Sequence, residues 1–149
     1  MAEPFTVQIH GLRETLRALR QVDRELPKML RREANEAAEG IVQDARRRYA
    51  ARFNSRSGRT ANTIRARSTT TRARVLFGGR RYPWGPGQEF GSNRVAQFRP
   101  WSGKAASGSG SRGHFLYPAA REGIAEFRDA LEAGVEKTAR AAALRTRGF

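Results

Sequence analysis

Apolar and small side chains recur at steps of three and four residues in three stretches of this chain. This spacing is typical of helices that bury one face. It predicts a short helix over residues 12–23, a long helix over 27–52 and a last helix that opens at Pro118. Pro27 falls in the first turn of the long helix, where a missing N–H does no harm. Alanines on the buried stripe of that helix would let another element approach closely.

The last helix separates its apolar residues from its acidic ones. Its buried stripe is predicted to contain Ile124, Phe127, Leu131, Val135 and Thr138. Its other side carries Glu122, Glu126, Asp129, Glu132 and Glu136. At the end of the chain, residues 145–149 are expected to fray or to dock on a neighbour.

Strand signals are shorter than the helix signals. Residues 5–9 alternate apolar and polar side chains, as a half-buried strand does. Residues 64–68 and 72–77 are predicted to form two strands joined by a turn at 69–71, and a further strand is predicted near 95–98. The expected fold is α+β, with a short N-terminal strand, a long Ala-rich helix, a small antiparallel sheet and a C-terminal helix.

The length of 149 residues suits a single domain, 1–149. Residues 102–113 are rich in glycine and serine, which predicts a flexible loop inside that domain. The chain has no cysteine, which excludes disulfides and thiolate chemistry. No apolar run approaches the ~20 residues of a membrane span, and residues 1–4 lack the pattern of a signal peptide. We expect a cytosolic product with no membrane partner.

The net charge of +15 is concentrated in the middle of the chain. Between residues 45 and 121 there are 17 Lys and Arg but one acid, Glu89, whereas the two ends together are close to neutral. Such a distribution favours nucleic acid or acidic protein surfaces as partners.

The sequence offers no set of catalytic or metal-binding residues. Its two histidines, His10 and His114, lie far apart and have no nearby cysteine or carboxylate. The glycines of residues 85–91 lack the spacing of a phosphate loop, and that stretch is predicted to open no helix. We therefore predict a protein that is not an enzyme and binds no cofactor and no metal.

Aromatic residues are interspersed among the arginines of the basic middle. They are Tyr82, Trp84, Phe90, Phe98, Trp101 and Phe115. Such rings can stack on nucleic-acid bases, or they can fill a core or a seam between subunits. The neighbouring prolines favour the packed seam. A basic DNA-binding accessory protein remains the alternative, although no known nucleic-acid-binding motif is present.

Several short motifs, taken in order, resemble the neck or tail-completion proteins of long-tailed bacteriophages. The chain has a Gly-Leu-x-x-x-Leu opening at 11–16, and Gly58, Arg59 and Ile64 belong to a second motif. The third motif is Glu89-Phe90-Gly91. The fourth is Phe115-Leu116-Tyr117-Pro118-Ala119. Thr60 stands where the family usually has leucine, and the 102–113 insertion precedes the fourth motif. The resemblance covers nearly the whole chain.

This resemblance implies a structural virion protein that forms a ring at the head–tail junction or at the top of the tail tube, with six subunits expected. Head-closure, tail-terminator or tail-tube proteins would be its neighbours, and the ring would be assembled in the host cytoplasm. The resemblance does not separate a neck protein from a tail terminator.

We expect three roles for the residues of the basic middle. Glu89 is predicted to form an ion pair with an arginine of its own or of the next subunit and so to anchor its loop. The expected interface and motif residues are Gly58, Arg59, Ile64, Arg80, Arg81, Tyr82, Trp84, Glu89, Phe90, Gly91, Arg94, Arg99, Pro100, Trp101, Phe115, Leu116 and Pro118. A minority of arginines, namely Arg46, Arg47 and Arg48, is expected close to genomic DNA in a transient contact.

Overall fold

The computed structural model describes residues 5–8, 12–53, 58–69, 72–104 and 112–148. The described residues form an α+β fold that is mostly helical, as predicted. In chain order the elements are β1 Phe5–Gln8, α1 Leu12–Val22, α2 Leu26–Arg52, a short 3-10 turn Ala61–Thr63, β2 Arg65–Ala66, β3 Arg72–Leu76, α3 Gly85–Phe90 and α4 Leu116–Arg147.

Helices α2 and α4 pack along each other in opposite directions. Arg48 near the end of α2 pairs with Glu122 near the start of α4, while Glu33 pairs with Lys137 at 2.6 Å further along. Alanines at 34, 38 and 45 are buried, as their spacing predicted. Glycine allows the closest approach, since a Cβ on Gly134 would lie 2.6 Å from the Cβ of Glu33.

The sheet has three antiparallel strands in the order β1-β3-β2. Its register pairs Phe5 with Val75 and Ala66 with Val75 from the other side. Val75 and Phe77 both point into the core, as their alternation predicted. The predicted strand over 64–68 is shorter than expected, because Ser68 instead donates its N–H to the Asn35 side chain at 2.7 Å. Most of the predicted turn at 69–71 lies outside the described residues.

Aromatic rings close the core where α2 ends and α4 begins. Tyr49 and Phe115 are almost fully buried and meet edge to face at 5.1 Å between ring centroids. Phe77 contacts Phe115 in the same way at 4.9 Å. Phe53 stacks on Tyr49 at 4.8 Å and covers the cluster from outside. The opposite end of the helix pair is held by a smaller cluster around Leu26 and Leu30.

Three predictions about secondary structure are wrong. Residues 95–98 form no strand, because the Ser92 hydroxyl accepts the N–H groups of residues 94 and 95 and holds a turn. Residues 85–90 do form a helix. Helix α4 begins at Leu116, so that Pro118 is its third residue rather than its first. The helix also continues through Arg147, and Arg145 pairs with Asp23; that residues 145–149 fray or dock on a neighbour stays a prediction.

Candidate interaction surface

The chain between β3 and α4 forms a compact substructure, which we call the 78–104 segment. It begins where the Gly78 N–H donates to the Thr63 hydroxyl at 3.1 Å, and it contains α3. Its two halves are joined by backbone hydrogen bonds of 2.8 Å from Ser92 to Arg99 and from Ser102 to Phe90. These bonds fold the segment back on itself without a regular sheet.

Glu89 fixes the segment to the start of α4. Its side chain is only 3% exposed. One carboxylate oxygen accepts the N–H groups of Phe115 at 3.2 Å and Leu116 at 2.9 Å, and the other accepts that of Tyr117 at 2.9 Å. The first N–H groups of a helix have no partner within the helix. Phe115 supplies no side-chain cap of its own, so a carboxylate 26 residues away performs this task.

The electrostatics of Glu89 combine two opposing effects. Burial raises the pKa of Glu89 above its ordinary value, while the three N–H donors and the nearby Arg121 act to lower the pKa. Burial is the larger effect. The positive end of the α4 dipole also favours a carboxylate at this position.

Among the described residues of its own subunit, Glu89 does not form the predicted ion pair, and a pair with an arginine of the next subunit stays a prediction. Among the described residues, no Lys or Arg nitrogen lies within salt-bridge distance of its carboxylate, and its close partners are backbone N–H groups. Its own backbone carbonyl adds a 2.7 Å bond from the His114 N–H. Glu89 anchors the segment as expected, but it does so by capping a helix.

Two glycines make this arrangement possible. Gly113 has φ +73, and a Cβ there would collide with the Glu89 carboxylate. Gly91 has φ +74, and a Cβ there would collide with the Pro100 carbonyl oxygen. Gly91 belongs to a recognisable motif, whereas the only sequence signal of Gly113 is its position two residues before Phe115.

The segment is also docked on the end of α2. The Arg99 guanidinium donates to the Arg52 carbonyl at 2.9 Å and lies over the Phe53 ring at 5.7 Å. The His114 ring nitrogen Nε2 and the Pro100 carbonyl oxygen are 3.0 Å apart. These contacts use residues on both sides of the Gly/Ser-rich insertion, whose residues 105–111 lie outside the described part of the chain.

The segment exposes both apolar and cationic side chains. Trp84, Val95 and Trp101 are 40, 42 and 46% exposed, and Tyr82 meets Trp84 edge to face at 5.3 Å. The cationic residues of the segment are exposed as well: Arg80, Arg81, Arg94, Arg99 and Lys104. Since Glu89 is the segment's one acid and is buried, the segment carries no exposed carboxylate.

Four predicted interface residues lie inside the subunit instead. Ile64 and Phe115 have no exposed surface, and Leu116 and Glu89 are nearly as buried. Pro118 and Phe90 are half-buried, with the Phe90 ring 5.4 Å from Tyr117. Gly58 adopts φ +62 at the turn before Arg59, which is exposed. These motif residues build the support of the surface rather than the surface itself.

The three consecutive arginines expected near DNA have partners within the subunit. Arg46 donates twice to the Ile64 carbonyl, at 2.7 and 3.0 Å. Arg48 pairs with Asp44 and Glu122. Arg47 reaches Asp44 at 3.3 Å, but its side chain is 78% exposed. Arg46 and Arg48 thus stabilise the fold, and only Arg47 is presented outward.

In the part of the chain that the structure describes, no three His, Cys, Asp or Glu side chains are placed to hold a metal ion. No helix among the described residues is long and apolar enough to cross a membrane.

Comparison of the chain with family models, with curated proteins and with solved structures finds no match.

Proposed function

We propose that the protein is a non-enzymatic structural component of a long-tailed phage virion, at the head–tail junction or at the top of the tail tube. It forms a ring, with six subunits as the expected number, that is needed for tail completion and for joining head to tail. Its neighbours are head-closure, tail-terminator or tail-tube proteins, and the ring is assembled in the host cytoplasm.

The observation that carries this proposal is the spatial convergence of the motifs behind the family resemblance. Glu89 caps the helix that the fourth motif opens. Ile64, at the end of the second motif, lies in the same core cluster as Phe115. Each motif is weak as a sequence pattern. In the fold, residues of the second, third and fourth motifs lie close together and support the same part of the subunit. This shared structural role strengthens the resemblance.

The exposed face of the 78–104 segment supports a role in assembly. Aromatic and arginine side chains are enriched where proteins bind each other, because they contribute large contact area and directional hydrogen bonds. Trp84 and Trp101 are large apolar side chains left in water on a segment that is otherwise firmly tied down. A surface of this kind fits a protein partner.

A second candidate function is that of a basic DNA-binding accessory protein. The observation in its favour is the exposed cationic face of the same segment, since neutralisation of phosphates by such side chains drives nonspecific DNA binding. The exposed tryptophans could then stack on bases of single strands.

One experiment separates the two functions. The purified 16.6 kDa chain is analysed by light scattering after size exclusion and by negative-stain electron microscopy, and is titrated with duplex DNA at low and high salt. The proposal expects a closed ring with a mass of several subunits. A chain that stays monomeric and binds DNA with a steep salt dependence would contradict the ring and favour the accessory protein.

A further inference from the structure

A groove of about 500 Å³ runs between α2 and α4. Its lining is mixed: small and apolar side chains, among them Ala37, Ile41 and Phe127, lie beside charged ones, which are Asp44, Arg47, Arg48, Glu122 and Glu126. Gly40 leaves open space in the lining, because no atom lies within 4 Å of where its Cβ would be, whereas a Cβ on Gly123 would lie 2.9 Å from the Ile41 side chain. The groove has room for a large side chain from outside.

The rim of this groove continues into an acidic stripe along α4. Glu122, Glu126, Asp129, Glu132 and Glu136 follow one another at steps of three and four residues, and all five are exposed. Glu122 is paired with Arg48, and Glu136 lies 3.7 Å from Arg140. Among the described residues, no cationic nitrogen lies within salt-bridge distance of the three middle carboxylates, Glu126, Asp129 and Glu132.

The 78–104 segment has the opposite properties. It exposes five cationic side chains and two tryptophans and no carboxylate. Among the described residues, Arg80, Arg81 and Arg94 have no carboxylate within salt-bridge distance. One molecule therefore carries two complementary surfaces, and its own fold does not bring them together.

We propose that the 78–104 segment of one copy docks on the α2–α4 groove and acidic stripe of a second copy. Arg80 and Arg81 face the carboxylates of Glu126 and Asp129, and an exposed tryptophan of the segment enters the groove against its apolar residues. The two contacting surfaces differ, so the interface is heterologous and repeats from copy to copy. This inference rests on the proposed ring and gives it a defined subunit interface.

A second copy explains the observations better than DNA does. A phosphate backbone would neutralise the arginines of the 78–104 segment, but it would be repelled by the acidic stripe and would leave the groove empty. A second copy satisfies both surfaces at once. Charge complementarity of this kind also sets the register of a contact and excludes wrong arrangements.

Two charge-reversed variants test the interface. In one, Arg80→Glu and Arg81→Glu make the segment acidic; in the other, Glu126→Arg and Asp129→Arg make the stripe basic. All four residues are exposed, so the fold should persist, and circular dichroism checks this. Arg31→Glu with Arg32→Glu is the matched control, because it reverses two adjacent exposed arginines on α2. The concentration at which the wild-type oligomer half-dissociates is the reference.

Each reversed variant alone should raise the concentration at which the oligomer half-dissociates by at least about tenfold, because like charges then face each other across every contact. The control should change it less than about threefold. Mixing the two variants should restore assembly, since an alternating oligomer again pairs opposite charges at each interface. Mass photometry of the separate and mixed samples gives the readout.

The possible failures are distinguishable. A wild type that oligomerises while both reversed variants assemble equally well overturns this interface and leaves the ring standing. Separate variants that dissociate but are not restored by mixing also overturn it. A wild type that remains monomeric at all accessible concentrations contradicts the ring itself. If the segment reversal abolishes only DNA binding, the segment's partner is nucleic acid, and the inference is wrong.

Discussion

The helix pair α2–α4 and the 78–104 segment are held together by different forces. The helix pair buries alanines and aliphatic side chains over a long contact, so its stability is spread over many residues. The segment has little regular structure and depends on individual hydrogen bonds, above all those of Glu89. The helix pair should therefore tolerate small changes at single residues. The 78–104 segment should lose its attachment to α4 when the Glu89 carboxylate is altered.

The largest effect is expected from Glu89→Ala. This change leaves three backbone N–H groups at the start of α4 without their acceptor, two of them on buried residues. The loss should be about 3 kcal/mol in the free energy of unfolding, with part of the cost offset because a buried charge is removed. Urea denaturation measures it. The control Glu36→Gln alters an exposed carboxylate of α2 and should stay within about 0.5 kcal/mol. Equal effects of the two changes would contradict the difference between the regions.

A smaller effect is expected from Gly113→Ala. The new Cβ would displace the Glu89 carboxylate, in addition to the strain of a positive φ. We expect a loss of about 2 kcal/mol or more. Gly58→Ala is the matched control, because Gly58 has a similar φ of +62 but no atom within 4 Å of its Cβ position. It should cost only the strain, about 1 kcal/mol. Thermal or urea unfolding of both variants gives the comparison, and a smaller loss at Gly113 than at Gly58 would refute it.

The helix pair can be tested with two glycines of its own. Gly134→Ala places a Cβ 2.6 Å from the Cβ of Glu33, so the overpacking should outweigh the better helix propensity and destabilise the protein by about 1 kcal/mol. Gly40→Ala meets no atom within 4 Å and should stabilise the protein by about 0.5–1 kcal/mol. Both are read from urea unfolding. Stabilisation by both changes would mean that the helices are not in close contact at Gly134.

The smallest effect concerns pH. Burial raises the folded-state pKa of Glu89, so the folded protein holds this proton to a higher pH than the unfolded chain. The stability from protonation is fully present below the unfolded pKa and is lost as the pH rises through the folded pKa. The free energy of unfolding of the wild type, relative to Glu89→Gln, should therefore increase as the pH falls from about 7 to about 4. Urea denaturation at several pH values measures this. A difference that is constant or of opposite slope contradicts the raised pKa.

The two regions also differ in how far the sequence predicts them. Periodicity predicted α2 and the buried stripe of α4, because burial of one helical face leaves a repeat in the sequence. It could not predict α3, whose two glycines and proline are poor helix formers, or the turn at Ser92. The motif at Glu89 was found, but its backbone partners were not predicted. The contact of a side chain with distant backbone N–H groups leaves no pattern in the identities of residues 115–117.

The distribution of arginines was likewise informative only in part. The excess of positive charge in the middle of the chain was visible in the composition. Composition does not show, however, which arginines are bonded within the subunit and which are exposed to a partner. Arg46 donates to the Ile64 carbonyl and Arg99 to the Arg52 carbonyl, and neither acceptor is charged. Only the structure distinguishes these arginines from Arg80 and Arg81, which remain available for a partner.

Hydrogen exchange at the start of α4 tests most directly whether Glu89 holds the 78–104 segment. The amide hydrogens of Phe115, Leu116 and Tyr117 are followed by NMR in the wild type and in Glu89→Ala, with Leu131 in the middle of α4 as the internal reference. First-turn amides of a helix normally exchange fast, because they lack intrahelical acceptors. We predict slow exchange of the three amides in the wild type and fast exchange in the variant, with Leu131 protected in both. Fast exchange of the three amides in the wild type, or protection that survives the loss of the carboxylate, would contradict the role given to Glu89.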